Sequence, residues 1–280
     1  MTPSPGLATN ATVLMPFDGS LQAVWTFPIA RTIAHVMEAS LHLVLPGEKR
    51  DVRARLALLD DPESEATPHE LLGNPAVELV RLASVNPGAF IVAPAHGSAR
   101  PESGLDPFPE EILRLSRCPV LVVHPHRPRT TWKPARILIP QDGTAAAAKA
   151  LCPAVRLAAG SGAEVLIVHV SSNRPPAPQE PGTLEFPAYV DQPQHEWPSW
   201  VAGFLERVRH LCDLPASTTL RFHWACGDPG QEIVSLARRK KVDLITVSWG
   251  RSTELARAQV VRKVLRDSPC PILVLPCEPC

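Results

Sequence analysis

The sequence repeats itself, and the repeat fixes the number and kind of folding units before any single motif is weighed. Val13-Leu14-Met15-Pro16-Phe17-Asp18-Gly19-Ser20 matches Ile137-Leu138-Ile139-Pro140-Gln141-Asp142-Gly143-Thr144 at an offset of 124 residues. Gly73-Asn74-Pro75 matches Gly227-Asp228-Pro229 at an offset of 154, and Ser116-Arg117-Cys118-Pro119-Val120-Leu121-Val122-Val123 matches Ser268-Pro269-Cys270-Pro271-Ile272-Leu273-Val274-Leu275 at 152. Three blocks in one order divide the 280 residues into a first domain over 1–128 and a second over 134–280. The growth in offset places an insertion of 30 residues between the first and second blocks of the second copy.

Within each copy, strand and helix signals alternate. Thr12–Met15, Val120–Val123, Val165–Val168 and Leu244–Val247 are short and rich in β-branched residues, and show little polar alternation. Such runs suit strands buried on both faces of a parallel sheet. Helical spacing appears over 21–37, 76–84, 145–159, 232–239 and 260–266, with Ser20 and Thr144 placed to cap the helices they precede. The alternation predicts an α/β fold: two tandem, doubly wound, Rossmann-like domains, their helices on both faces of parallel sheets. The insertion reads as a proline-rich loop over 171–198, followed by a helix over 200–211 with Trp200, Phe204, Val208 and Leu211 on one face. Copy one has only residues 51–59 in that place, about two turns.

Composition narrows the function classes. Twenty-eight basic residues balance 28 acidic ones, so no basic excess marks a nucleic-acid binder or a polybasic membrane anchor. No apolar run approaches the roughly 18–20 residues of a membrane span, and the first residues do not read as a signal peptide, so the expected location is the cytoplasm. There are 32 prolines, about twice the usual share of roughly 5%, concentrated at element ends and in the insertion. The seven cysteines form an odd set without a small secreted scaffold, so reduced thiols are expected. Cys277 and Cys280 are spaced as a metal-binding pair would be, but no second pair exists to complete a zinc site.

A hydrophobic strand ending in Pro-x-Asp-Gly-Ser/Thr, a later Gly-x-Pro that opens a helix, and a closing Ser-x-Cys-Pro-Val/Ile-Leu-Val together resemble the universal stress protein family, here twice over nearly the whole chain. The resemblance implies a five-stranded parallel sheet in each domain. It also implies last strands that pair antiparallel, giving an intrachain pseudo-dimer, with a homodimer as a further step. Some family members bind ATP at the C-terminal ends of the first and fourth strands. A doubly wound sheet opens a crevice at that place, where its strand order reverses. The candidate crevice residues are Asp18, Gly19, Ser20 and Gly97 in copy one, and Asp142, Gly143, Thr144 and Gly250 in copy two. Asp-Gly-Ser/Thr has two readings: a nucleoside contact, or a turn and helix cap with no ligand.

In ATP-binding members the fourth strand is followed by Gly, two residues, Gly, nine residues, then Gly-Ser/Thr. Glycines let several backbone N–H groups converge on phosphate. Copy one has Pro94 at the first of these positions, Gly97 at the second and Pro107-Phe108 at the last. Copy two has Val247, Gly250 and Val260-Val261. One glycine in three survives in each, which makes both crevices degenerate. The remaining constellations favour structural roles. His96 has no acid placed to orient it, Cys118 and Cys270 read as small buried hydrophobes, and Arg238-Arg239-Lys240-Lys241 suits a solvated helix end. Walker loop, His-Glu-x-x-His and Gly-x-Ser-x-Gly signatures are absent from the sequence.

The reading is therefore a tandem universal stress protein, non-catalytic, with no catalytic or metal residues assigned. It requires no cofactor, binds ATP or another adenine nucleotide weakly at most, and acts through an unidentified protein partner or small ligand. The alternatives are a competent nucleotide-binding regulator, using Asp18 or Asp142 with Arg100 or Arg251 on phosphate, and a nucleotide hydrolase.

Overall fold

A computed structural model describes residues 11–46, 57–59, 67–71, 73–95, 107–124, 132–171, 196–249 and 255–276. The chain divides into two compact units. Unit 1 comprises Met1–Lys133 together with Cys270–Cys280, and unit 2 comprises Pro134–Pro269.

In unit 1, strands β1 (Thr12–Pro16), β2 (Ser40–Pro46), β3 (Thr67–Leu71), β4 (Phe90–Pro94) and β5 (Val120–Val123) pair in parallel, in the order β3-β2-β1-β4-β5. Leu14 lies opposite both His42 and Ile91, so β1 is central, and all five of its residues are buried. That placement explains its apolar run Val13–Met15, because neither face meets water. The order reverses between β1 and β4, opening the crevice at the carboxyl ends of these strands. Helices α1 (Leu21–Val36), α2 (Pro75–Ser84) and α3 (Pro107–Leu115) complete copy one. The last strand of the sequence, β10 (Ile272–Pro276), joins this unit and runs antiparallel to β5, with Leu273 opposite Leu121. The antiparallel pairing of the two copies' last strands is thus present.

Unit 2 repeats the pattern with β6 (Arg136–Pro140), β7 (Glu164–Ser171), β8 (Leu220–Cys226) and β9 (Leu244–Trp249) in the order β9-β6-β7-β8. Its helices are α4 (Ala145–Ser161), α5 (Glu196–Leu211), α6 (Pro229–Lys240) and α7 (Leu255–Asp267). The middle repeat block has a shared physical role. Gly73 and Gly227 take positive φ values of 104° and 143°, and the next residue caps a helix whose first position is proline. Asn74 Oδ1 accepts from the N–H of Ala76 at 2.9 Å, and Asp228 Oδ1 from that of Gln231 at 2.8 Å.

Three expectations change. Helix α5 starts at Glu196, inside the stretch expected to be a loop. Pro198 falls in its first turn, where a missing N–H forfeits no intrahelical bond. Its buried stripe runs Phe204, Val208 and Cys212, with Leu211 61% exposed, because a four-residue step holds the stripe on one face and Leu211 falls off it. The expectation of reduced thiols fails at one pair: Cys152 in α4 and Cys212 just beyond α5 form a disulfide across 60 residues of sequence. Sequence spacing carries no sign of it, since the fold alone brings their Cα atoms to 4.9 Å. Cys226 is an exposed thiol; Cys270 is buried as expected, whereas Cys118 is only partly covered. Cys277 and Cys280 lie outside the described residues. Among the described residues no helix is long and apolar enough to cross a membrane.

Candidate functional site

Each copy ends its first strand in the same local device. In copy one Gly19 adopts φ 81°, a left-handed conformation that suits glycine. The turn lets the Ser20 N–H donate to Asp18 Oδ1 at 2.9 Å, and Ser20 Oγ accepts from the Ala23 N–H at 3.2 Å to cap α1. In copy two Gly143 adopts φ 84°, the Thr144 N–H donates to Asp142 Oδ1 at 3.0 Å, and Thr144 Oγ1 accepts from Ala147 at 3.3 Å to cap α4. The turn-and-cap geometry is therefore shared.

The electrostatics are not. In copy two the Thr144 hydroxyl also donates to Asp142 Oδ1, at 2.7 Å. Arg257, reaching over from α7, donates through Nε to Asp142 Oδ2 at 2.9 Å, and its Nη2 contacts both Asp142 Oδ2 and Thr144 Oγ1. The Arg257 side chain is 16% exposed and that of Asp142 48%. Desolvation pushes the Asp142 carboxyl upward. The Arg257 charge and the hydrogen bonds from Arg257 and Thr144 outweigh it, and the carboxyl settles below the ordinary Asp value. Close by, His169 Nδ1 lies 2.8 Å from the Gln141 carbonyl oxygen. Burial lowers the His169 pKa against the opposing pull of that carbonyl and of Asp142, so the ring is neutral at pH 7 and donates from Nδ1. Gln141 itself is buried, its Nε2 donating to the Ala147 carbonyl at 2.9 Å. Copy one has Phe17 there, fully buried.

Arg257 was not among the residues singled out by sequence. A signal for it does exist: it sits in the first turn of α7, where a cation opposes the helix dipole and needs a partner elsewhere. At the offset of the closing repeat block, copy one carries Leu105 in its place, which lies outside the described residues. The loop positions Gly97 and Gly250, with His96, Arg100 and Arg251, also lie outside them. Pro94 is the last residue of β4, opposite Val123 of β5, while Val247 is buried within β9, two residues before its end. Pro107-Phe108 opens α3, and Val260-Val261 falls inside α7 with Val261 buried. Among the described residues no group of three or more His, Cys, Asp or Glu side chains gathers as a metal site would require.

Comparison with known proteins gives a consistent result. The model of the Universal stress protein family matches residues 134–276. No protein of curated function matches the chain. A functionally unknown protein of Pseudomonas aeruginosa is 17% identical, with a TM-score of 0.65 over 98% of this chain and 95% of that one. A universal stress protein of Archaeoglobus fulgidus is 16% identical, with a TM-score of 0.62 over 95% of this chain and 98% of that one. Both likenesses extend over the two copies together, and at these identities they establish the fold. A universal stress protein solved in complex with cAMP is 20% identical over 52% of this chain and 100% of that one, with a TM-score of 0.37.

Proposed function

The chain belongs to the universal stress protein family, and from that premise we propose that it is a non-catalytic cytoplasmic binding protein whose adenine-nucleotide crevices are both weakened. One observation carries the reading: Asp142, the acid placed for the nucleoside in copy two, is already neutralised by Arg257 and held by Thr144. A nucleotide entering there must compete with a charged donor that is built into the same unit. In copy one Asp18 carries a lighter load, but Pro94 stands at the first glycine position of the phosphate loop and has no N–H to offer. Each charge-assisted hydrogen bond lost is worth roughly 1.5–3 kcal/mol, and every 1.4 kcal/mol is tenfold in affinity. Two such losses carry a micromolar site beyond about 100 μM.

Calorimetry on the full chain with ATP and magnesium tests the reading. The expected dissociation constant lies above about 100 μM, with no ATP hydrolysis above blank. Arg257→Ala should tighten binding by up to about tenfold by freeing Asp142, and Asp142→Ala made on top of it should abolish the gain. Micromolar binding by the unaltered chain would overturn the proposal. Weaker binding on removing Arg257 would instead make that residue a phosphate ligand and favour the nucleotide-binding regulator.

A further inference from the structure

Among the described residues helix α5 has no counterpart in copy one, and two kinds of contact hold it. The first is apolar: Trp200 stacks on Phe204 at 5.3 Å, and both meet Phe222 of β8 edge-on, at 5.6 and 5.4 Å. Phe204 and Val208 are buried almost completely. The second is covalent. Cys212, directly after the helix and fully buried, is bonded to Cys152 in α4, which remains partly exposed.

We propose that Cys152–Cys212 is a reversible oxidation site, closed by low-molecular-weight disulfides and opened by dithiols, whose state sets how firmly α5 is held. The two cysteines differ in burial, Cys212 being fully buried and Cys152 only partly, and that difference defines an order of events. The Cys152 thiolate attacks one sulfur of a disulfide RSSR, forming the mixed disulfide Cys152–S–S–R and expelling RS⁻, which takes up a proton. Cys212, as thiolate, then attacks the Cys152 sulfur, closes the bridge and expels the second RS⁻, which is protonated in turn. Two protein thiols are oxidised and one RSSR is reduced to two RSH. Opening runs in reverse: a dithiol attacks the Cys152 sulfur, releases Cys212 as a thiol, and resolves the mixed disulfide with its own second sulfur.

Reversibility follows from the surroundings. A bridge meant only as a staple belongs to an oxidising compartment, where cysteines are paired throughout. Here Cys226 is an exposed thiol in the same chain, and Cys152 of the bridge is only partly buried. The bridge ties α4 to the end of α5 across 60 residues of sequence, so opening it removes a covalent restraint on α5 itself.

The full chain, equilibrated in glutathione buffers from fully reduced to mostly oxidised and quenched by alkylation, provides the test. Peptide mapping by mass spectrometry reads the Cys152–Cys212 bridge, and hydrogen exchange reads residues 196–211. The bridge should close and reopen along one titration curve, and exchange in α5 should rise about tenfold or more on opening. Cys152→Ser, at the partly exposed position, should fix α5 exchange at the reduced level in every buffer. A second variant, Cys118→Ser, should leave the titration unchanged. The proposal is overturned if the bridge stays open in the most oxidising buffer, if excess dithiothreitol fails to reopen it in the folded chain, or if α5 exchanges alike in both states.

Discussion

Asp18 and Asp142 occupy the same turn, follow the same strand and precede the same cap, yet they stand in different electrostatic settings. Asp18 accepts the Ser20 N–H. Asp142 accepts the equivalent N–H, the Thr144 hydroxyl and a guanidinium from a residue 115 positions away. The repeat therefore preserves what is local, namely a glycine at positive φ and a hydroxyl on helix N–H groups. It does not preserve what arrives from the far side of the fold. A motif of this kind reports backbone geometry reliably, and its chemistry depends on the residue that faces it across the crevice.

The strongest way to break the symmetry of the two copies is to attack what they most obviously share. Val122 of β5 is fully buried opposite Ile272 of β10, and Val274, its repeat counterpart, is buried opposite Val120. An unpaired ammonium in either position should cost about 4 kcal/mol or more. Val122→Lys and Val274→Lys are expected to lower the denaturation midpoint of the whole chain by similar amounts. An unchanged midpoint in either variant would show that its strand is not part of the buried pairing.

A somewhat smaller effect should separate the copies. Phe204 anchors α5 between Trp200 and Phe222, and copy one has no described helix in the corresponding place, only the short 3-10 turn Ala57–Leu59. Phe204→Ala should destabilise by about 3 kcal/mol, leaving a cavity that the bridged helix cannot collapse to fill. Hydrogen exchange should place the loosening in α5 and β8 and leave β1–β5 untouched. Loosening spread evenly over both units would mean that α5 supports more than its own copy.

Smaller again are the caps. Asn74→Ala and Asp228→Ala each remove an N-cap acceptor and should cost about 1 kcal/mol. Asp228 also meets Lys263 Nζ at 2.9 Å, but that pair is largely exposed, so its added share is a few tenths at most. Near-equal losses, read from urea denaturation at constant slope, would show the middle block to be a structural repeat. A loss at Asp228 several times that at Asn74 would expose a burden on Asp228 that the shared geometry does not explain.

These cases also mark where a sequence can be read and where it cannot. Strands β1, β5, β7 and β9, helix α1 and the caps at Ser20 and Thr144 follow from short-range signals, because burial on two faces and unsatisfied helix N–H groups leave direct traces in residue type; the antiparallel pairing of the last strands follows from the family resemblance instead. Arg257 and the Cys152–Cys212 bridge join residues far apart in sequence, and neither follows a spacing rule. Even there a trace survives for Arg257, a cation in the first turn of a helix. The start of α5 departs from the expected loop because Pro198 reads as a breaker, whereas in the first turn of a helix its missing N–H forfeits no bond.

The finest distinction between the copies is their response to acid. In copy one, His42 Nδ1 lies 2.7 Å from His69 Nε2 on the neighbouring strand, with the rings parallel to within 9°. One ring donates to the other, so the contact needs at least one neutral imidazole. Copy two keeps a histidine at the second position, His223, but places Leu166 at the first. Burial and the neighbouring His69 lower the His42 pKa. A folded-state pKa below the unfolded one means that the unfolded chain binds protons first as pH falls. The His42 contribution is therefore complete above about pH 6.5 and is lost as pH drops through the lowered value. His169 and His223 are lowered too, chiefly by burial, and contribute in the same direction. Asp142 behaves alike in a more acid window: its contribution is complete above about pH 4 and fades as pH falls through its lowered pKa. Its carboxyl is half exposed, so after solvent screening that share stays under about 1 kcal/mol. His42→Leu, which gives copy one the residue of copy two, should flatten the fall in stability between pH 7 and 5 by about 0.5–1 kcal/mol, the worth of one hydrogen bond. Arg257→Met should leave that window alone and remove only the Asp142 share of the loss below pH 4, since Glu164 and Asp267 also have lowered pKa values. A slope between pH 7 and 5 that survives His42→Leu would assign the acid response to the histidines of copy two, and the two halves would then differ in the opposite sense.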